Sequence, residues 1–299
     1  MINLDLNKNL IDDFNKNGFL ILNKFINPEY LDRLIDRFEP LFRGDFETGI
    51  EPDEWNWRLG RDPNDVTRQI CNAWKSDNFI KRVVCHKVVG ECCSRLMNWS
   101  GARLIQDNVL WKPPGGKTLG YHQDAAYDDW IIPQTMMTCW ITLDSTSKDK
   151  GTLEYVKGSH KWGLQPPKGE FHSPDNYKEE LMNFANKYNK KVEITHVEVP
   201  AGGVAFHHGF TWHGSGINNS HDNRRAIVAH CVPYDAKFHP TNFGGTGKIY
   251  KRYKKMLKYG VYNVGWMTFR NDENAYEALL WWRGSCNDWS LRFRYGYQI

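Results

Sequence analysis

Pro200-Ala-Gly-Gly-Val-Ala-Phe206 is the stretch whose reading decides the fold, because a Pro/Gly turn runs straight into a short β-prone strand. The same alternation recurs on either side. Leu104-Ile105, Asn108–Trp111, Thr135–Leu143, Leu153–Val156, Val192–Val199 and Ala226–Val232 are β-prone runs, and Pro113-Pro-Gly-Gly116 is a second hard turn. Many short strands joined by turns and few helices predict a sandwich, barrel or jelly roll rather than a βαβ sheet. Upstream, residues from about 6 to 14 predict a helix and Gly18–Leu22 a strand. Asn27-Pro28 predicts a helix start with Asn as cap, continued through Leu31, Leu34, Ile35 and Phe38. Residues 43–66 read as a long loop, and residues 78–97 as one helical stretch.

No composition shift marks a linker, so residues 1–299 read as a single domain. Its parts are a helical region to about 100, a β-core over about 101–235 and a C-terminal extension over about 236–299. A net charge of +4 without a basic block argues against nucleic-acid or anionic-membrane partners. No run approaches the ~20 apolar residues of a membrane span. The polar first residues lack the apolar core of a secretory signal. Seven cysteines, an odd count without Cys-x-x-Cys, fit neither a disulfide scaffold nor a zinc ribbon and point to a reducing cytoplasm. Thirteen tryptophans predict either an aromatic-walled pocket or aromatic packing in the β-core.

The chemistry is carried by Gly120-Tyr-His-Gln-Asp-Ala-Ala126. On a strand, residues i and i+2 share a face, so His122 and Asp124 can offer an imidazole and a carboxylate to one ion. A histidine from a distant strand completes a 2-His-1-carboxylate triad, whose open positions suit non-haem Fe(II) and O₂. His-x-Asp alone is a weak motif. It gains weight from the second cluster, which starts at His213-Gly-Ser-Gly and reaches Arg224-Arg225. A fixed cation there could hold the far carboxylate of a keto acid. His207 and His208 compete with His213, and Arg225 competes with Arg224 although strand alternation points it to the opposite face.

These motifs, with Asn17-Gly-Phe-Leu-Ile, Phe25-Ile-Asn-Pro-Glu, Lys112-Pro-Pro-Gly-Gly, Trp140-Ile-Thr-Leu-Asp144, Lys150-Gly-Thr-Leu-Glu-Tyr-Val-Lys-Gly-Ser-His160 and Arg224-Arg-Ala-Ile, occur in a characteristic order. Over about Phe14–Pro233 the chain resembles the phytanoyl-CoA dioxygenase (PhyH) family of Fe(II)/2-oxoglutarate oxygenases. The resemblance implies a mainly β fold with flanking helices, a double-stranded β-helix or cupin-like jelly roll. It implies Fe(II), 2-oxoglutarate as cosubstrate and O₂. It makes His122, Asp124 and His213 the metal ligands, with no further catalytic side chain. Arg224 and Ser215 are expected to hold the distal carboxylate, and Gln123, Trp140, Asn108 and Arg68 to line the cosubstrate site. Trp55, Trp57 and Arg58 lie in a loop expected to close over a small-molecule substrate, and His160 at a structural position. Asp124, where related halogenases carry a small residue, favours hydroxylation of an unactivated C–H bond with release of succinate and CO₂. Two rival readings are a cupin-like metalloenzyme that uses no keto acid and a catalytically inactive binding module on the same fold.

Overall fold

The structure, a computed structural model, describes residues 2, 4–239 and 267–270. Its strands, in chain order, are Phe19–Leu22 (β1), Glu54–Trp55 (β2), Arg68–Cys71 (β3), Gly101–Lys112 (β4), Leu119–His122 (β5), Ile131–Ile132 (β6), Met137–Thr142 (β7), Leu153–Val156 (β8), Ile194–His196 (β9), Val204–His208 (β10), His213–Ser215 (β11), Arg224–Pro233 (β12), Lys237–Phe238 (β13) and Met267–Arg270 (β14). The helices longer than one turn are Lys8–Asn17 (α1), Leu31–Ile35 (α2), Phe38–Arg43 (α3), Asn78–Val84 (α4), Lys87–Leu96 (α5) and Glu179–Lys187 (α6).

One antiparallel sheet runs in the order β1-β10-β7-β12-β4-β3-β2, with β14 also pairing β4. A smaller sheet runs β5-β11-β8-β9. Trp140, Ala205, Ala226 and Val228 of the large sheet pack with Leu153 and Tyr155 of the small one, which makes the two sheets a sandwich. This is the jelly-roll architecture of 2-oxoglutarate-dependent oxygenases. The helices cover the other face of the large sheet. There Phe14, Leu34, Phe38, Phe42, Ile80, Val83 and Val89 bury against Val109, Ile141, Val204 and Ile227. Strands covered on both faces read as apolar runs, which is why Ala226–Val232 and Thr135–Leu143 stand out in the sequence. Each fully buried Ile or Phe contributes about 1.5–3 kcal/mol to this core.

Local signals set the helix limits. Asn7 caps α1 through Leu10 N–H at 3.1 Å. Gly18 ends it at φ +83°, and a Cβ there would lie 2.3 Å from His160 Nδ1, so both backbone and space require glycine. Four expectations need correction. Asn27 makes no side-chain cap, because Pro28–Tyr30 forms a 3-10 turn instead. The helix expected beyond it is two short helices, and Pro40 falls in the first turn of the second, where its missing N–H needs no partner. The stretch 78–97 is likewise two helices, capped separately by Asp77 and by His86. In the β-core, only Ile194–His196 of the expected run 192–199 is a strand. Most of the C-terminal extension lies outside the described residues.

Antiparallel register decides which side chains meet, because directly paired residues share a face. Lys112 pairs with Arg224. Asn108 pairs with Val228, Val228 with Trp140, and Trp140 with Ala205. Gln106 pairs with His230, His230 with Thr138, and Thr138 with His207. All of these face the small sheet.

Candidate metal centre and cosubstrate cradle

His122 closes β5 and lies opposite His213 of β11, which in turn lies opposite Tyr155 of β8. Asp124 is not on the strand, as the i/i+2 argument had it. It opens a 3-10 turn, Asp124–Tyr127, which swings its carboxylate back toward both histidines. The potential ligand atoms of His122, Asp124 and His213 all lie within 4.8 Å of one another, and among the described residues this is the one such group.

Hydrogen bonds define the tautomers. His122 Nδ1 lies 2.8 Å from Gly120 O and His213 Nδ1 lies 2.9 Å from Thr211 O. A carbonyl only accepts, so each Nδ1 carries hydrogen and each Nε2 lone pair is left free. Those lone pairs approach Asp124 Oδ1 at 3.2 and 3.4 Å. Three acceptors converging on one point need a cation or a proton between them, so this donor set fits a metal ion. Burial lowers the His122 pKa, and the neighbouring His213 lowers it further. Burial pushes the Asp124 carboxyl up, but the adjacent His213 and the hydrogen bond from His207 hold it well below the usual range. Both groups are therefore in their ligating forms at neutral pH.

The second oxygen of Asp124 is held by the protein. Thr138 Oγ1 donates to Oδ2 at 2.6 Å and His207 Nε2 donates at 2.9 Å. Tyr155 donates to His207 Nδ1 at 2.9 Å. A second arm runs from Asn108 to His230 at 2.9 Å and from His230 Nδ1 to Thr138 at 3.0 Å. Every hydrogen along both arms points toward Asp124. Burial, reinforced by His213, pulls the His207 pKa down to about 3, so the ring is neutral and serves as donor and acceptor at once.

Behind this centre lies Arg224, 1 % exposed, with Nε, Nη1 and Nη2 all lacking a hydrogen-bond partner among the described residues. Trp140 Nε1 is likewise buried and unpartnered, and the guanidinium carbon lies 5.7 Å from that ring. Burial pulls the arginine pKa down to about 10, which still leaves it charged at neutral pH. Buried donors are almost always paired, so an orphaned fork of this kind marks the place of an absent anion. Arg225, by contrast, turns to the other face and forms a bidentate pair with Asp144 at 3.0 and 2.7 Å.

The remaining expectations divide. Ser215 faces the interior, where Lys112 Nζ donates to its hydroxyl. Asn108 also faces inward, but its amide is committed to Gln106 and His230. Gln123 is turned away, its amide bonding Gly163 O, Phe210 O and Gln165 N. Arg68 pairs in register with Trp111 on the helix-covered face, and stacks between Trp57 and Trp111 at 3.9 and 4.3 Å. Trp57 packs on Phe42 and donates to Pro63 O, while Trp55 packs on Phe46 beneath the Arg58 guanidinium. Arg68 and Trp57 thus belong to the outer core, with Trp55 half-buried and Arg58 exposed beside them, all away from the metal ligands. His208 accepts from Phe210 N–H, and His160 bonds Asn15 O. Sequence reasoning missed the wall beside the metal centre. Phe171 lies 4.7 Å and Tyr127 6.0 Å from the His122 ring.

Comparison with known proteins agrees with this geometry. The profile of the phytanoyl-CoA dioxygenase (PhyH) family matches residues 14–226, and the chain belongs to that family. It is a 2-oxoglutarate-dependent dioxygenase with iron and 2-oxoglutarate as cofactor and cosubstrate. Peroxisomal phytanoyl-CoA dioxygenase of Bos taurus is 22% identical over 79% of this chain and 70% of its own length. A probable α-ketoglutarate-dependent hypophosphite dioxygenase of Stutzerimonas stutzeri is 24% identical over 73% and 76%. Among solved structures, the epimerase SnoN in complex with Fe³⁺, α-ketoglutarate and nogalamycin RO superposes with a TM-score of 0.60. It shares 20% identity and covers 79% of this chain and 86% of that one. AviO1 from Streptomyces viridochromogenes gives a TM-score of 0.58 at 23% identity, over 80% and 100%.

Proposed function

We propose that the protein hydroxylates an unactivated C–H bond of a small molecule, converting 2-oxoglutarate and O₂ to succinate and CO₂. The observation that carries this reading is the buried guanidinium of Arg224, left without a partner behind a His–Asp–His triad. His122, Asp124 and His213 would hold the iron, leaving three positions for the keto acid and O₂. Bound there, iron and 2-oxoglutarate supply the O₂ activation that drives oxygen insertion, with one oxygen atom entering the product and the other entering succinate.

The side chains provide the rest. Arg224 fixes the distal carboxylate by a two-pronged contact that a lysine cannot make. Ser215 and Trp140 Nε1 offer further donors to the same end. Thr138 and His207 keep Asp124 Oδ2 occupied, so that Oδ1 faces the ion. Tyr127 and Phe171 form an apolar wall beside His122, which orients the substrate body and keeps water from the reacting atoms. The whole chain forms one domain in this reading. Free, buried thiols such as Cys92, pushed up to about 12 by burial, suit a reducing cytoplasm.

The test is a metabolite screen that follows succinate release with Fe(II), ascorbate, 2-oxoglutarate and O₂. The expected result is substrate-stimulated succinate formation, with a product 16 mass units heavier than its substrate (the mass of one oxygen atom). Metal-dependent turnover that ignores 2-oxoglutarate would instead support a cupin-like enzyme. Failure to bind the keto acid at all would leave a binding module.

A further inference from the structure

Lys112 is the last residue of β4 and the register partner of Arg224, the first residue of β12. Both side chains therefore enter the cavity side by side. Lys112 is fully buried, and no carboxylate lies within 4.0 Å of it or of Arg224 among the described residues. Its Nζ donates instead to Ser215 Oγ and to Gly216 O, both at 2.5 Å. A buried amine beside a buried guanidinium, with Glu154 and Asp144 acting on them only from beyond ion-pair distance, is unfavourable for the fold alone.

The surrounding sequence is shaped to keep the lysine there. A Cβ on Gly116 would fall 2.7 Å from Lys112 Cγ, so this glycine of Lys112-Pro-Pro-Gly-Gly leaves room for the lysine stem. Asn218 ties the turn down by donating to Lys112 O at 3.3 Å and to Pro113 O at 3.0 Å. Burial and the adjacent guanidinium push the Lys112 pKa well below its ordinary range, against a smaller opposing pull from Glu154.

Resting on the reading of Arg224 given above, we propose that Lys112 is a positioning residue for the distal carboxylate of 2-oxoglutarate. An ammonium has only hydrogens to give, so it takes the acceptor side of Ser215 Oγ. The hydroxyl hydrogen of Ser215 is then free to turn toward the anion. Lys112 acts on the carboxylate through Ser215 and adds a second positive charge to that end of the pocket.

The experiment compares two keto acids on Mn(II)-loaded, oxygen-free protein by calorimetric titration. These are 2-oxoglutarate and 2-oxobutyrate, which lacks the distal carboxylate. Lys112→Met is expected to weaken 2-oxoglutarate about 10- to 30-fold, the scale of one charge-assisted contact, and to leave 2-oxobutyrate and Mn(II) affinity unchanged. Ser215→Ala should have an effect of the same kind, and adding Lys112→Met to it should cost much less than Lys112→Met alone. Equal weakening of both keto acids, or fully additive effects, would overturn the proposal. If Lys112→Met does not fold, Lys112→Gln and Ser215→Ala carry the same expectation, and unchanged selectivity in either overturns it. Arg224→Met separates the two levels of the argument. If it abolishes 2-oxoglutarate binding while Lys112 variants bind the keto acid as tightly as wild type, only the lysine proposal falls. If it leaves binding intact, the reading of Arg224 falls as well.

Discussion

Arg224→Met removes a charge but keeps most of the side-chain volume, and two quantities should move in opposite directions. Among the described residues the guanidinium has no hydrogen-bond partner for any of its nitrogens. Replacing a buried charge with a well-packed apolar side chain stabilises by about 1–4 kcal/mol where such exchanges have been made. For a domain of this size that corresponds to a melting temperature roughly 2–6 °C higher. Binding should suffer. Two charge-assisted hydrogen bonds at about 1.5–3 kcal/mol each amount to a loss of roughly 10²–10⁴ in 2-oxoglutarate affinity. Differential scanning calorimetry without ligand gives the first quantity, and titration of oxygen-free Mn(II) protein with 2-oxoglutarate gives the second. A variant that melts lower than wild type, or that binds the keto acid as well as wild type, refutes the assignment of Arg224 as an unpaired anchor.

Three other outcomes follow from the same structure. His207→Phe leaves Asp124 Oδ2 with one donor fewer, and metal affinity should fall about 10–100-fold in a competition assay with a fluorescent chelator. Arg68→Ala should cost about 1.5–3 kcal/mol in urea unfolding, from the lost stacking between Trp57 and Trp111, with the 2-oxoglutarate KM unchanged. Asp107, buried beneath the N–H groups of Ala73 and Trp74, has its carboxyl raised to about 7, chiefly by burial. Its folded pKa exceeds the unfolded value, so the folded state binds more protons and stability falls as pH rises from about 4 to about 7. The urea midpoint should drop across that window, and Asp107→Asn should flatten the slope.

Much of the β-core was legible because short strands covered on both faces are apolar throughout and are separated by Gly and Pro. The helices were less so, because His86 caps a new helix inside the expected stretch 78–97 and a new helix starts at Phe38 inside a continuous apolar spacing. His122, Asp124 and His213 were found by residue type, though Asp124 reaches the ion from a turn and not along a strand. Register limited the rest. Arg68 pairs with Trp111, one residue out of phase with Asn108 and Lys112, and that parity alone sends it to the outer face. The arms that hold Asp124 draw on five strands, and no local pattern announces that Asn108, His230, Thr138, His207 and Tyr155 are neighbours. Lys112 was hidden by its own motif, since Lys-Pro-Pro-Gly-Gly reads as an exposed turn.

Strand β12 carries Arg224 and His230 on one face and Arg225 on the other, and only an even sequence separation between the first two allows this. Inserting one residue within that interval would exile the anchor from the cavity or the imidazole from its arm, whatever its chemical nature. Between Asn218, which is tied to the Lys112 turn, and Arg224 the chain lies outside the strand pairing and is the natural place for length variation. Descendants of this chain should therefore tolerate gaps before Arg224 and none for six positions after it, a constraint of arithmetic and not of side-chain identity.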